Sequence, residues 1–117
     1  MRQFKKCNTW IDSRNLFFEI YKLSKAFQKE ETYGVISQIR SAAVSIPTNI
    51  AVGLGNKSEK DFSIFLKISF SSEAETEYLI MFVKYLHYID KVKFEQITNQ
   101  TIRVKKQLFQ LTKKLNA

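Results

Sequence analysis

At 117 residues with 44% apolar side chains, the chain is sized for one domain that buries its own core, and ten Phe with five Tyr exclude a disordered composition. Cys7 is the only cysteine, which excludes an internal disulfide and a cysteine-built metal site. No apolar run nears the roughly 18 residues that span a bilayer and no signal-peptide core follows Met1, so a cytoplasmic protein without a membrane segment is expected, carrying a net charge of +8.

Three Gly and one Pro leave few turn sites, and the apolar residues recur at steps of three and four, which predicts long helices rather than strands. The first helix spans about residues 9–28. Thr9 followed by Asp12 reads as a capping box at its start, and Trp10, Leu16, Phe17, Ile20, Leu23, Ser24 and Phe27 form its inner face. Phe18 and Tyr21 lie off that stripe. After a charged link at Lys29–Glu31, a second helix covers about residues 32–54, with Val35, Ile36, Ile39, Ala42, Ala43, Ile46 and Ile50 inward. Pro47 sits within it, at a cost of roughly 3 kcal/mol in a helix interior. The stripe stays in phase through Ile50 and Leu54, so a kinked helix is expected rather than a restart. Gly53 and Gly55 are expected to end it through positive φ.

Ser58 with Asp61 forms a second capping box and opens a third helix, about residues 58–88. Phe62, Phe65, Leu66, Ser69, Ser72, Thr76, Leu79, Val83 and Leu86 follow its inner face, which turns polar in the middle. Asp90 caps a fourth helix, about residues 91–115, with Phe94, Ile97, Thr101, Val104, Leu108, Leu111 and Leu115 inward. Four amphipathic helices on short links predict an all-α, antiparallel up-down-up-down four-helix bundle in a single domain. Aromatic residues outside the stripes, Phe18, Tyr21, Phe70, Tyr78, Phe82 and Tyr85, predict a closed homo-oligomer.

No catalytic constellation converges. His87 is the only histidine and has no nucleophile near it in sequence. Glu73, Glu75 and Glu77 lack the Glu-x-x-His pairs of di-iron bundles, so neither metal nor cofactor is expected. GLGNK at Gly53–Lys57 lacks the spacing and ending of a P-loop and reads as a helix-to-helix turn. With that turn centred near Asn56, Arg40 and Ser72 fall level, which predicts a buried polar layer where Arg40 meets Glu73 or neighbouring serines, with Glu19 competing.

Charge is uneven: residues 1–29 carry +5, 30–57 zero, 58–90 −3 and 91–117 +6. Lys22, Lys25 and Lys29 on the first helix and Arg103, Lys106, Lys113 and Lys114 on the fourth fall outside the core stripes. They are the candidate nucleic-acid contacts, of the sequence-independent, salt-sensitive kind. The alternative is a solvated lysine face on a structural or protein-interaction scaffold.

The order Tyr33-Gly34, SQIR at Ser37–Arg40, AAVSIPTNIA at Ala42–Ala51, Gly53-x-Gly55 and a Ser58-initiated helix with Phe62 and Phe65 resembles one bacterial family. Its members are small four-helix-bundle proteins encoded by intervening sequences within 23S rRNA genes. The resemblance covers about Trp10 to Leu115. It implies a ring-like pentamer, and a relationship to the accessory protein of diversity-generating retroelements implies RNA or DNA and a reverse transcriptase as partners. The chain departs from the family's AEG-x-GR pattern at Val52 and Asn56, and has Ser41 where a second arginine usually follows Arg40.

Overall fold

The computed structural model describes residues 4–27, 34–56 and 58–116. Four helices, α1 (Asn8–Ser24), α2 (Val35–Leu54), α3 (Glu59–Tyr85) and α4 (Lys91–Asn116), form an antiparallel up-down-up-down bundle, with a short 3-10 turn at Phe4–Lys6 ahead of α1. Each helix packs on two neighbours, and the diagonal pairs α1–α3 and α2–α4 make no close backbone approach. The result is an elongated body of 43 × 24 × 20 Å. Leu16, Ile20, Ile46, Ile50, Leu66, Ile80, Ile97 and Leu108, all fully buried, fill its axis.

The apolar stripes selected the right faces, but several helix ends differ from expectation. Cys7, in extended geometry and without a side-chain cap bond, is the N-cap of α1, so the Thr9–Asp12 capping box does not form. Thr9 lies inside the first turn and is buried against the core. The helix ends at Ser24, before the expected limit. Gln28 and the Lys29–Glu31 link lie outside the described residues.

α2 runs unbroken through Pro47, which is itself buried. Polar side chains gather on the carbonyls around it: Thr48 Oγ1 donates to Val44 O at 2.7 Å and Asn49 Nδ2 to Ser45 O at 2.8 Å. From α3, buried Ser69 Oγ donates to Ile46 O at 3.0 Å and Ser72 Oγ to Ser45 Oγ at 2.8 Å. These two bonds tie α3 to α2 at the level of the proline and fix the register between them.

The glycines do not act through positive φ. Gly53 lies within α2 and is buried, and Gly55 is the C-cap at φ −77°, in right-handed helical geometry. What Gly53 provides is proximity: a Cβ placed there would meet Phe62 Cδ1 at 2.7 Å and Phe65 Cβ at 3.0 Å. The absent side chain lets the Phe62 ring lie against the α2 backbone.

Two caps appear as the sequence indicates. Ser58 Oγ accepts from Asp61 N–H at 3.0 Å, and Asp90 Oδ1 from Lys93 N–H at 2.8 Å. Between them α3 stops at Tyr85, short of Tyr88. His87 takes φ 62°, its N–H donates to Lys84 O, and Tyr88 N–H donates to Val83 O. This is the Schellman ending usually built on glycine. It leaves Leu86, expected inside, about half exposed, and stacks Tyr88 on Phe27 at 4.8 Å, closing that end of the core.

Gly53→Ala should lower thermal stability, because overpacking of about 1–3 kcal/mol outweighs the roughly 1 kcal/mol gained by replacing a helical glycine. Gly55→Ala, whose nearest Cβ neighbours stand at 3.4 and 3.6 Å, should be neutral or mildly stabilising. Melting by circular dichroism checks the pair; equal effects of the two substitutions would contradict the packing argument.

Candidate nucleic-acid interface

The basic residues singled out by the sequence are exposed wherever they are described: Lys22 on α1, Lys25 at its C-cap, and Arg103, Lys106, Lys113 and Lys114 on α4. Lys29 lies outside the described residues. The antiparallel register separates the two sets. Asp12 on α1 meets Arg103 and Gln107 on α4, its Oδ2 lying 3.4 Å from Arg103 Nε and accepting from Gln107 Nε2 at 2.7 Å. Lys113 and Lys114 therefore lie beside the start of α1, while Lys22 and Lys25 lie on the order of 25 Å further along the axis, at 1.5 Å per residue.

The α4 end is the more basic. A groove there is lined by Cys7, the N-cap of α1, by Asn8 and Thr9 of its first turn, and by Gln107, Gln110, Leu111 and Lys114 from α4. The turn that carries the exposed Lys5 and Lys6 leads directly into it. Glu95 is the only acid on α4, and the acids nearest this end are Glu59 and Asp61 in the first turn of α3, where Glu59 shares a groove with Leu115, Lys60 and Lys67. Lys5 and Lys6 were the residues missed from sequence. Their signal is present in the charge of the first 29 residues, and the antiparallel register puts them at the same end of the bundle as Lys113 and Lys114, on the side of α2.

The other set is largely engaged. Lys22 pairs with Glu19 at 3.4 Å, and the Lys25 ammonium lies 5.2 Å from the Tyr21 ring. Arg40 joins this cluster rather than a core layer. Its guanidinium lies over the same ring at 4.1 Å, its Nε donates to Ser24 Oγ at 2.7 Å, and an Nη donates to Tyr21 O at 3.2 Å. The expected meeting of Arg40 with Glu73 does not occur. Ser45, not Arg40, stands level with Ser72, so the true turn centre lies beyond Asn56, and Arg40 sits on the α1-facing side of α2.

Glu73 is nonetheless fully buried, and neither carboxyl oxygen has a hydrogen-bond partner. One turn on, Glu77 Oε1 lies 3.2 Å from Lys105 Nζ, an ion pair without hydrogen-bond alignment. Burial, aided by the neighbouring Glu77 carboxyl, pushes Glu73 from its ordinary 4.5 up to about 8, with Lys105 acting in the opposite direction. The carboxyl therefore keeps its proton well above the usual carboxylate range. The expected polar layer exists in Ser69, Ser72, Glu73, Thr76 and Thr101, held by hydroxyls rather than by an arginine. Among the described residues no group of three or more His, Cys, Asp or Glu is placed to hold a metal ion, and no helix is long and apolar enough to cross a membrane.

Sequence comparison matches residues 5–110 to the family described as 23S rRNA-intervening sequence protein. The chain belongs to that family. Among solved structures it is similar to a protein of unknown function from the S23 ribosomal protein family of Bacteroides thetaiotaomicron VPI-5482, at 26% identity and a TM-score of 0.83, over 90% of this chain and 95% of that one. No curated protein matches. At the positions where this member departs from the family pattern, Val52 is exposed and Asn56 donates from its amide to Val52 O at 2.8 Å, while Ser41 is exposed. The missing charges thus belong to the surface and not to the core.

Between pH 4.5 and about 8 the folded chain holds a proton on Glu73 that the unfolded chain has lost. Stability from this group is therefore fully present below pH 4.5 and declines as pH rises to about 8, by up to roughly 1.4 kcal/mol per unit. Glu73→Gln should remove that slope and leave the variant more stable than the parent at pH 8. Denaturant midpoints at pH 5 and pH 8 measure it; parallel pH profiles for the two proteins would contradict the assignment.

Proposed function

We propose that the protein is a non-enzymatic, self-associating helical bundle that binds nucleic acid electrostatically through the basic end formed by α4 and the turn ahead of α1. The observation that carries this reading is the concentration there of exposed Lys5, Lys6, Lys106, Lys113 and Lys114, with no acid on α4 beyond Glu95. Flexible ammonium groups of this kind neutralise phosphates and release counterions without reading bases. The family description, which refers to 23S rRNA, and the ribosomal-protein name of the Bacteroides relative favour RNA as the polyanion.

Self-association is supported by a different surface. On α3, Tyr78, Met81, Phe82 and Tyr85 are exposed, with Tyr78 and Phe82 in edge contact at 5.0 Å. An apolar strip of this extent on a soluble bundle fits a copy of the same chain. A ring of such copies would repeat the basic end around its axis.

A salt titration of binding to mixed-sequence RNA and DNA tests the nucleic-acid reading. The expected result is binding at low ionic strength with a steep negative salt slope, shallower by roughly 0.7–0.9 for each phosphate contact removed when Lys106, Lys113 and Lys114 are replaced by Ser. Absence of binding by the parent protein at low salt would overturn it. The same preparation should show a multimeric mass in solution, and a strict monomer at high concentration would remove the self-association part.

A further inference from the structure

One aromatic side chain stands apart from the α3 strip. Phe109 is 59% exposed near the C-terminal end of α4, in the most basic segment of the chain. Lys105, Lys106 and Lys113 occupy the positions four before, three before and four after it, which are its nearest neighbours on a helix surface. Phe70 from α3 faces it, and together with Lys105, Lys106 and Gln110 these residues line an open groove of about 360 Å³. Gln110 also lines the groove shared with α1, so this one side chain borders both depressions. Lys105 is partly neutralised by Glu77, whereas Lys106 and Lys113 make no ion pair among the described residues.

From this juxtaposition we infer that the α3–α4 groove seats a single-stranded stretch of nucleic acid, with a base stacked on Phe109 and the flanking phosphates on Lys106 and Lys113. This deepens the nucleic-acid reading above and rests on it. The physical argument is one of occupants. A symmetric contact between two copies at this face would bring three lysines of each against those of the other, a like-charge arrangement that costs energy. The α3 strip around Tyr78 and Phe82 carries no comparable ring of cations. A duplex satisfies the lysines but keeps its base faces inside the stack, which leaves Phe109 without a partner. A single strand offers both a π face and a phosphate on either side of it, the combination that aromatic and basic grooves use.

The test is fluorescence anisotropy at low salt with labelled 12-mers of oligo(rU) and oligo(dT) and a duplex of equal length. The parent protein should prefer the single strands; the two homopolymers separate an RNA from a DNA preference. Phe109→Ala should weaken single-strand binding at least about fivefold, the lower end of the effect of removing one stacking contact, and leave duplex binding unchanged. Phe109→Trp should restore it, with the indole fluorescence quenched on binding. The position is exposed, so an unchanged melting curve is expected for both variants. Unaltered single-strand affinity in Phe109→Ala would overturn the inference while leaving the electrostatic reading intact, provided Lys106→Glu still loses binding to both forms. A fall in solution mass on Phe109→Ala would also overturn it, because the groove would then be an interface between copies. No binding of any oligonucleotide by the parent would remove the inference together with the reading beneath it.

Discussion

The structure depends on how closely α3 lies against α2. Gly53 gives up its side chain so that Phe62 can rest on the α2 backbone, which lets the two helices close at this end. Further along, the hydroxyls of Ser69 and Ser72 reach Ile46 O and Ser45 Oγ next to Pro47, two directional bonds between the helices. A large residue at Gly53 would push the helices apart at one end of this seam. Loss of the hydroxyls would let them slide at the other. Steric closeness and directional hydrogen bonds therefore restrict different motions of the same pair.

From that seam the rest of the geometry follows. The register of α3 sends Glu73 into the core and Glu77 to its edge, where Lys105 meets it. The left-handed turn at His87 and the Asp90 cap then return the chain along α3, so that α4 ends beside the beginning of α1. Two terminal segments, each basic for its own reasons of sequence, become one cationic end of the bundle. The surface chemistry is thus a product of topology as much as of composition.

Much of this was readable from residue spacing. The stripes containing Leu16 and Ile20, Ile46 and Ile50, Leu66 and Val83, and Val104 and Leu108 identified the buried faces, because helical periodicity is a direct consequence of 3.6 residues per turn. Features that depend on a few ångströms were not readable in the same way. A Thr-x-x-Asp pattern at Thr9 is compatible with a cap or with a first turn, and only packing of Thr9 against the core decides between them. A helix-to-helix turn misplaced by two or three residues moves a facing side chain by about a helical turn, which is why Arg40 was matched to Glu73 when Tyr21 and Ser24 were its partners. Helix-breaking glycine is a strong expectation, yet Gly53 serves approach rather than conformation. The candidate interface was half legible: the α4 cations stood out, but their union with Lys5 and Lys6, and the placement of Phe109 opposite Phe70, required the three-dimensional register.

The central functional claim is one of location, that nucleic acid lies on the α4 end and its groove and not on the lysines of α1. Ultraviolet cross-linking of the protein to oligo(rU), followed by mass spectrometric assignment of the modified peptides, addresses it without reference to affinity or subunit number. Adducts should concentrate between Lys105 and Lys114, with Phe109 as the principal site. Adducts centred on Tyr21 and Lys25, or spread evenly over the bundle, would contradict it.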